Sequence, residues 1–126
     1  MISTVSLVAL GGAIGAALRF LTGVGIFRMF GPQEFPIAII TVNVIGSFLM
    51  GVVVVVMAQR GLTHFSPFLM TGVLGGFTTF SAFSLETMTL IERGDIGQAA
   101  LYVALSVGAS IGALALGLMM ARGVWA

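Results

Sequence analysis

Few side chains in this sequence could take part in chemistry, and most of them lie inside long apolar stretches. One histidine, His64, and four carboxylates accompany five arginines, and there is no cysteine. Disulfides and thiolate metal sites are therefore excluded. No nucleophile–base pair and no cluster of metal-ligating side chains is apparent either. The sequence indicates a protein that is not an enzyme and whose polar groups bind rather than react.

The densest polar segment covers residues 75–84, which read Gly-Gly-Phe-Thr-Thr-Phe-Ser-Ala-Phe-Ser. Two adjacent glycines followed by two threonines are poor helix formers, so we expect a helix break here. Broken backbone at membrane depth persists only where protein or water covers it, and its freed carbonyls can coordinate a cation. The alternative is an ordinary helix whose hydroxyls donate back to the preceding turn.

Two aromatic and two hydroxyl side chains follow this expected break. Phe80 and Phe83 are three residues apart and share a helix face, beside a second pair formed by Ser81 and Ser84. Phenylalanines in a membrane helix usually face lipid. The edge of a phenyl ring nevertheless carries partial positive charge, so these rings could attract an anion weakly.

The second apolar stretch contains three polar residues, Thr41, Asn43 and Ser47. Asn43 and Ser47 are four residues apart and share a helix face. The amide NH₂ group of Asn43 offers two hydrogen-bond donors, which suits an anion that has lost its water. Interhelical hydrogen bonding is the other common use of asparagine in a membrane, and both uses remain open.

A regular hydroxyl stripe marks the fourth apolar stretch. Tyr102, Ser106 and Ser110 recur every four residues, and Gly108 and Gly112 fall on nearly the opposite face. We expect one side of this helix to pack closely while the other presents donors to a wet path.

Arg19 and Glu86 are the formal charges well inside apolar stretches. Arg19 could extend toward the membrane surface or line a vestibule that attracts anions, and Glu86 could pair with it or with another cation. Together with the amide, the hydroxyls and the aromatic edges, Arg19 makes a donor-rich set. The set favours an anion as the bound species.

These residues must be positioned by membrane-spanning helices. The chain is 59% hydrophobic and 7% charged with a mean hydropathy of +1.19, far from a soluble composition. A helical span needs roughly 20 mainly apolar residues. Four spans are predicted, at about residues 5–27, 37–58, 68–91 and 98–121, within a single integral membrane domain over residues 1–126.

The arginines do not decide the orientation of these spans. Arg60 and Arg122 fall on one side of the membrane and Arg28 and Arg93 on the other, whereas a cytoplasmic excess normally sets orientation. Either orientation is fixed weakly, or copies insert both ways and assemble as an antiparallel pair. Four helices also enclose a water-accessible path poorly, which favours an oligomer.

Glycines are concentrated in the spans, where small residues let helix backbones approach closely. Three patterns have the spacing for this: Gly11-xxx-Gly15, Gly72-xxx-Gly76 and Gly108-xxx-Gly112. They predict tight packing and carry no information about cargo.

Three segments together resemble the bacterial fluoride channels known as Fluc or CrcB. They are GGAIGAALRF over residues 11–20, TVNVIGSFLMG over residues 41–51 and GVLGGFTTFSAFSLE over residues 72–86. The resemblance extends across essentially all four spans. The Gly-Gly-Phe-Thr-Thr-Phe-Ser run is its most specific part.

The resemblance implies an all-α membrane protein with a broken third helix, assembled as an antiparallel, dual-topology homodimer with two fluoride pores. It implies a structural Na⁺ at the dimer centre, held by backbone carbonyls that by position would belong to Gly75 and Thr78. The residues that it implies for the pore and its polar track are Asn43, Phe80, Phe83, Tyr102, Ser106 and Ser110. Thr41, Ser81 and Ser84 are further candidates for the pore. Arg19 resembles the basic residue of the family's first span.

The implied function is passive export of fluoride across the bacterial inner (plasma) membrane. HF that enters from acidic surroundings dissociates in the cytoplasm, and the trapped F⁻ leaves down its electrochemical gradient. One alternative is a small dual-topology exporter of drugs or other cations, but its usual first-span carboxylate is replaced here by Arg19. Another alternative is a non-transporting membrane scaffold, which explains the glycines but not the hydroxyl stripe. Nucleic acid is not an expected partner, because no basic cluster is present.

Overall fold

A computed structural model describes residues 1–32 and 35–125, with only the backbone of Val124 and Trp125. This part of the chain is all-helical and contains no strand. Its α-helices are α1 (Ile2–Phe30), α2 (Ile37–Arg60), α3 (Gly75–Phe77), α4 (Phe80–Glu92) and α5 (Ile96–Trp125). A 3₁₀ turn (Thr63–Phe65) and a π-helical segment (Pro67–Leu74) precede α3.

Four helical stretches are long and apolar enough to cross a membrane: Ile2–Phe30, Ile37–Arg60, Thr63–Glu92 and Ile96–Gly123. The shortest has 24 residues and spans about 36 Å at 1.5 Å per residue, more than the ~30 Å of a bilayer core. At most 22% of the residues in their most apolar windows are buried. Lipid or another protein surface must therefore cover the rest, and the predicted all-helical, four-span architecture is confirmed.

The third span is bent rather than straight. Thr78 (φ −85°, ψ 159°) and Thr79 (φ −153°, ψ 121°) have extended backbone between α3 and α4. We expected the interruption to involve Gly75 and Gly76, but both glycines remain helical. The bend falls on the two threonines that follow them.

Gly72 and Gly76 of the third span pack directly against α1. A Cβ built at Gly76 would lie 2.7 Å from the carbonyl oxygen of Gly12, and one built at Gly11 would lie 2.9 Å from Gly72 Cα. Such distances leave no room for a side chain on either surface. The Gly11-xxx-Gly15 and Gly72-xxx-Gly76 patterns therefore hold the first and third spans in backbone contact, as expected from their spacing.

The fourth span uses a different glycine from the pair that we expected. Gly117 packs against α2, where its Cβ would lie 3.3 Å from Gly51 Cα, whereas a Cβ added at Gly108 or Gly112 meets nothing within 4 Å in the described part of the chain. Gly108 and Gly112 thus mark an open face of α5 in the single chain. The expectation that they pack closely is not met within one subunit.

A buried cluster joins the second half of the third span to α5. Phe83, Leu90, Ala99 and Tyr102 form it, and Phe35, Ile39 and Ile40 pack against it from the start of α2 and the turn before it. The cluster fixes α4 beside α5. Phe83 and Tyr102 thereby become neighbours.

Candidate functional site

An open groove of about 400 Å³ lies between α2, the bend and α5. Of the residues predicted for the site, Asn43, Phe80, Phe83, Ser106 and Ser110 all line it. The remaining lining residues are Gly46, Ser47, Met50, Thr78, Thr79, Val107, Ile111 and Leu114. Polar groups from α2, α5 and the bend thus meet along one mostly apolar surface.

Asn43 makes two reciprocal hydrogen bonds with the bend. Its Nδ2 donates to the carbonyl of Thr79 at 3.1 Å, and the backbone N–H of Thr79 donates to its Oδ1 at 2.8 Å. The side chain pairs with extended backbone as a neighbouring strand would. The interhelical use left open by the sequence is therefore present, and one amide N–H remains for a second partner.

The other polar groups of the bend also have partners. Arg19 Nε donates to the carbonyl of Gly76 at 3.2 Å, and Thr78 Oγ1 donates to the carbonyl of Leu74 at 3.0 Å. The hydroxyl oxygen of Thr79 accepts from the N–H of Ala82 at 3.1 Å. Thr79 is therefore the N-cap of α4 and satisfies one of its free N–H groups.

Besides the carbonyl of Gly76, the carbonyls of Gly75 and Thr78 lose their helical partners at the bend. The N–H of Thr79 would satisfy Gly75 in a continuous helix, but it donates to Asn43 instead. The N–H of Ala82 would satisfy Thr78, but it donates to the Thr79 hydroxyl. Freed carbonyl oxygens are suitable ligands for a hard cation, and Gly75 is exposed on the surface of the single chain. The donor set therefore fits a cation held by backbone oxygen.

The hydroxyls of α5 differ from the other helix hydroxyls. Tyr102 OH, Ser106 Oγ and Ser110 Oγ are buried and have no hydrogen-bond partner in the described part of the chain. Hydroxyls elsewhere donate to the carbonyl four residues earlier, as Thr22, Thr41, Ser84, Thr87 and Thr89 do. A buried hydroxyl without a partner costs about 1–3 kcal/mol. Tyr102 and Ser106 lie close enough to interact with each other, but none of the three hydroxyls meets the geometry of a hydrogen bond with a described residue, so these donors are available to a guest.

A row of aromatic rings leads away from the groove. Phe80 and Phe83 have ring centroids 5.4 Å apart, Phe83 and Tyr102 are again 5.4 Å apart, and Tyr102 meets Phe35 edge-on at 5.6 Å. Phe80 is 77% exposed and Phe83 only 9%. Phe83 is buried against Tyr102 while Phe80 is mostly exposed, and both rings line the groove as candidate pore residues.

Four of the residues predicted for the pore do not line the groove. Thr41 donates to its own helix, and so does Ser84. Ser81 lies 3.3 Å from the Thr79 hydroxyl on the exposed side of α4, and Tyr102 is fully buried beneath Phe83. Of these four, only Tyr102 is related to the groove, because its hydroxyl extends the line of unpartnered hydroxyls formed by Ser106 and Ser110.

The two intramembrane charges lie apart. Glu86 lines a second, smaller groove of about 230 Å³ formed with the end of α1 and the start of α2. The ion pair found among the described residues joins Arg93 to Asp95 at 2.9 Å, and Arg19 bonds to Gly76 instead of Glu86. No cluster of His, Asp or Glu able to hold a metal occurs among the described residues.

Sequence reasoning did not identify Thr79 as a functional residue. Its signal was present, because threonine is a preferred N-cap and here directly precedes the helix that begins at Phe80. The contact of Gly46 with the Thr78 methyl group and Phe77 ring had no comparable local signal. Glycine is required there because the bend lies directly against α2.

Comparison with known proteins finds one matching family and relatives that share more than half of the residues of this chain. The family described as CrcB-like protein, Camphor Resistance (CrcB), matches residues 6–118. A protein of Ruegeria sp. (strain TM1040) is 66% identical over 124 residues, covering 98% of both chains. One of Roseobacter denitrificans is 67% identical over 120 residues, covering 94% of this chain and 95% of its own. One of Cereibacter sphaeroides is 60% identical over 123 residues, covering 98% of both.

All three relatives bear the name "Fluoride-specific ion channel FluC". Ion channels are not enzymes, which agrees with the expectation from the sequence. The four spans and the bacterial relatives together identify a multi-pass bacterial membrane protein.

Proposed function

The chain belongs to the CrcB-like protein family, and from this premise we propose that it is a fluoride-selective channel through which F⁻ leaves the cytoplasm passively. The names of its relatives support the choice of ion. The single structural observation that carries the proposal is the line of buried, unpartnered hydroxyls on α5. Two of these hydroxyls, on Ser106 and Ser110, line the groove through which a small anion would pass.

The chemistry of the groove suits an anion that must give up its water and then be released. Asn43 has one N–H left, Ser106 and Ser110 offer hydroxyls, and the rings of Phe80 and Phe83 offer positive edges. Neutral dipoles replace the water without holding the ion as firmly as a buried cation would, and conduction requires such weak binding. A narrow path with short donors would reject the larger chloride. Tyr102 would continue this path beyond Ser106, whereas Thr41, Ser81 and Ser84 do not line the groove of the single chain.

We infer that the working unit is an antiparallel homodimer with two pores. Three observations support this arrangement. Arginines are balanced between the two sides of the membrane, the groove is open along its length, and Gly108 and Gly112 leave a face of α5 uncovered. A second copy of the chain inserted the other way up would close the groove and cover that face.

A Na⁺ ion at the centre of this dimer is a further part of the proposal. The carbonyls of Gly75 and Thr78 would hold it, since both have lost their helical donors. When bound, the ion supplies positive charge that neutralises the carbonyl oxygens of two facing bends. Glu86 would act on the passing anion only at a distance, because it lines the separate groove.

Ion efflux from proteoliposomes tests the function directly. Vesicles loaded with equal fluoride and chloride are followed with two ion-selective electrodes, and the protein is expected to release fluoride while retaining chloride. Equal release of both ions would refute the selectivity. Proton-coupled uptake of a cationic drug would favour the exporter, and no transport of any of these solutes would favour the scaffold.

A further inference from the structure

Arg19 completes a stripe on α1 that faces the third span. Gly11, Gly15 and Arg19 are spaced four residues apart and so lie on one face of the helix. A Cβ at Gly15 would lie 2.8 Å from the backbone nitrogen of Phe77, so the two backbones are in contact up to this level. Arg19 is the next residue of the stripe, where the third span bends.

The bend leaves a carbonyl that Arg19 satisfies. In a continuous helix, the carbonyl of Gly76 would accept from the N–H of Phe80. The extended residues Thr78 and Thr79 interrupt that helix, and Arg19 Nε takes the place of the lost donor at 3.2 Å. A buried carbonyl without a partner is costly, so this hydrogen bond favours the bent form over a straight helix.

We propose that Arg19 is a positioning residue, which fixes the bend of the third span through the donor at its Nε. Asn43 holds the next part of the bend from the opposite side, through Thr79. Arg19 therefore acts on transport through the geometry of the bend more than through its charge. This last statement rests on the proposed fluoride channel function, whereas the effect on the bend does not.

Three substitutions separate the donor from the charge. In Arg19→Gln the Nε2 atom is the same number of bonds from Cα as Arg Nε, so the donor is kept and the charge is lost. Arg19→Met has a similar shape with neither donor nor charge. Arg19→Lys keeps the charge but places its nitrogen one bond farther out, on a different geometry. Thr22→Val, one turn away and bonded only to its own helix, is the matched control on α1.

Amide hydrogen exchange reads the bend without any transport. The N–H groups of Thr79 and Ala82 are protected by bonds specific to the bent form, to Asn43 and to the Thr79 hydroxyl. Their exchange should accelerate about tenfold in Arg19→Met and stay within about threefold of wild type in Arg19→Gln, because one hydrogen bond is lost in the first and kept in the second. Thr22→Val should exchange as the wild type does.

Fluoride efflux should follow the same order, with Arg19→Gln well above Arg19→Met and Arg19→Lys between them. The proposal would be overturned if Arg19→Gln and Arg19→Met were equally impaired while Arg19→Lys kept wild-type efflux. Charge, rather than the donor at Nε, would then be the property of Arg19 on which transport depends. If Arg19→Met does not fold, the comparison of Gln with Lys decides in the same way. If the wild-type protein carries no fluoride, the channel function fails, and amide exchange still decides the role of Arg19.

Discussion

The bend of the third span and the hydroxyl stripe of α5 are both polar, and they border the same groove. At the bend, Arg19, Asn43 and the Thr79 hydroxyl bond to backbone groups that the lost helical turn would have satisfied, while the carbonyls of Gly75 and Thr78 are left without their helical donors. On α5, three buried hydroxyls have no partner in the described part of the chain. The side chains at the bend thus hold the backbone conformation, whereas the hydroxyls of α5 remain available to a ligand.

This difference separates groups that hold the structure from groups that receive an ion. Side chains that hydrogen-bond to the backbone inside a membrane make it rigid and specify one conformation. A line of unsatisfied donors lowers stability unless something binds there. Substitutions at the bend should therefore lower the stability of the protein. Substitutions of the α5 hydroxyls should leave it equal or raise it, even where both kinds of substitution reduce transport.

Asn43→Leu should produce the largest effect, because it removes both hydrogen bonds to Thr79. We expect a loss of about 2–5 kcal/mol in the free energy of unfolding, together with loss of fluoride efflux, since two buried backbone groups lose their partners. Thermal unfolding in detergent measures the loss of stability, and efflux from liposomes measures the loss of transport. Thr89→Val, which loses a hydroxyl bonded only to its own helix, is the control. Wild-type stability in Asn43→Leu would mean that the bend is held by something else.

Phe80→Ile should separate transport from stability. Phe80 is 77% exposed in the single chain, so its replacement should change the unfolding free energy by no more than about 0.5 kcal/mol. Fluoride efflux should fall about tenfold, because isoleucine has no positive ring edge. Phe20→Ile is a matched control, as Phe20 is 70% exposed on α1 and lies outside the groove. Normal efflux in Phe80→Ile would remove the ring from the pathway.

Thr78→Val should have the smallest effect and tests which atoms hold the bend. The hydroxyl of Thr78 and its backbone N–H both donate to the carbonyl of Leu74, so the substitution leaves one of two donors in place. We expect a loss below about 1 kcal/mol in thermal unfolding. A loss as large as that of Asn43→Leu would assign the bend to this hydroxyl.

The parts of the molecule that depend on local pattern could be predicted from the sequence. Apolar runs indicated the four spans, and glycine spacing indicated close packing of the first and third spans. The regular spacing of Ser106 and Ser110 also indicated that this face of the helix presents hydrogen-bond donors. In each case the property depends on residues within a few turns of each other.

Properties that depend on distant backbone could not be predicted in the same way. Arg19 and Gly76 are 57 residues apart and Asn43 and Thr79 are 36 apart, and each bond ends on a backbone atom that carries no mark in the sequence. Gly76 packs against α1, and the bend falls on Thr78 and Thr79 after it. Gly108 and Gly112 have the same spacing as Gly11 and Gly15 but meet no partner among the described residues.

The double variant Ser106→Ala/Ser110→Ala tests the central claim most directly, with efflux and thermal unfolding measured on the same preparation. Fluoride efflux should fall at least about tenfold, while the unfolding free energy stays equal or rises by up to about 1 kcal/mol, because unsatisfied buried hydroxyls are removed. Unchanged efflux, or a loss of stability that accompanies the loss of efflux, would contradict the claim that these hydroxyls are kept free for the ion.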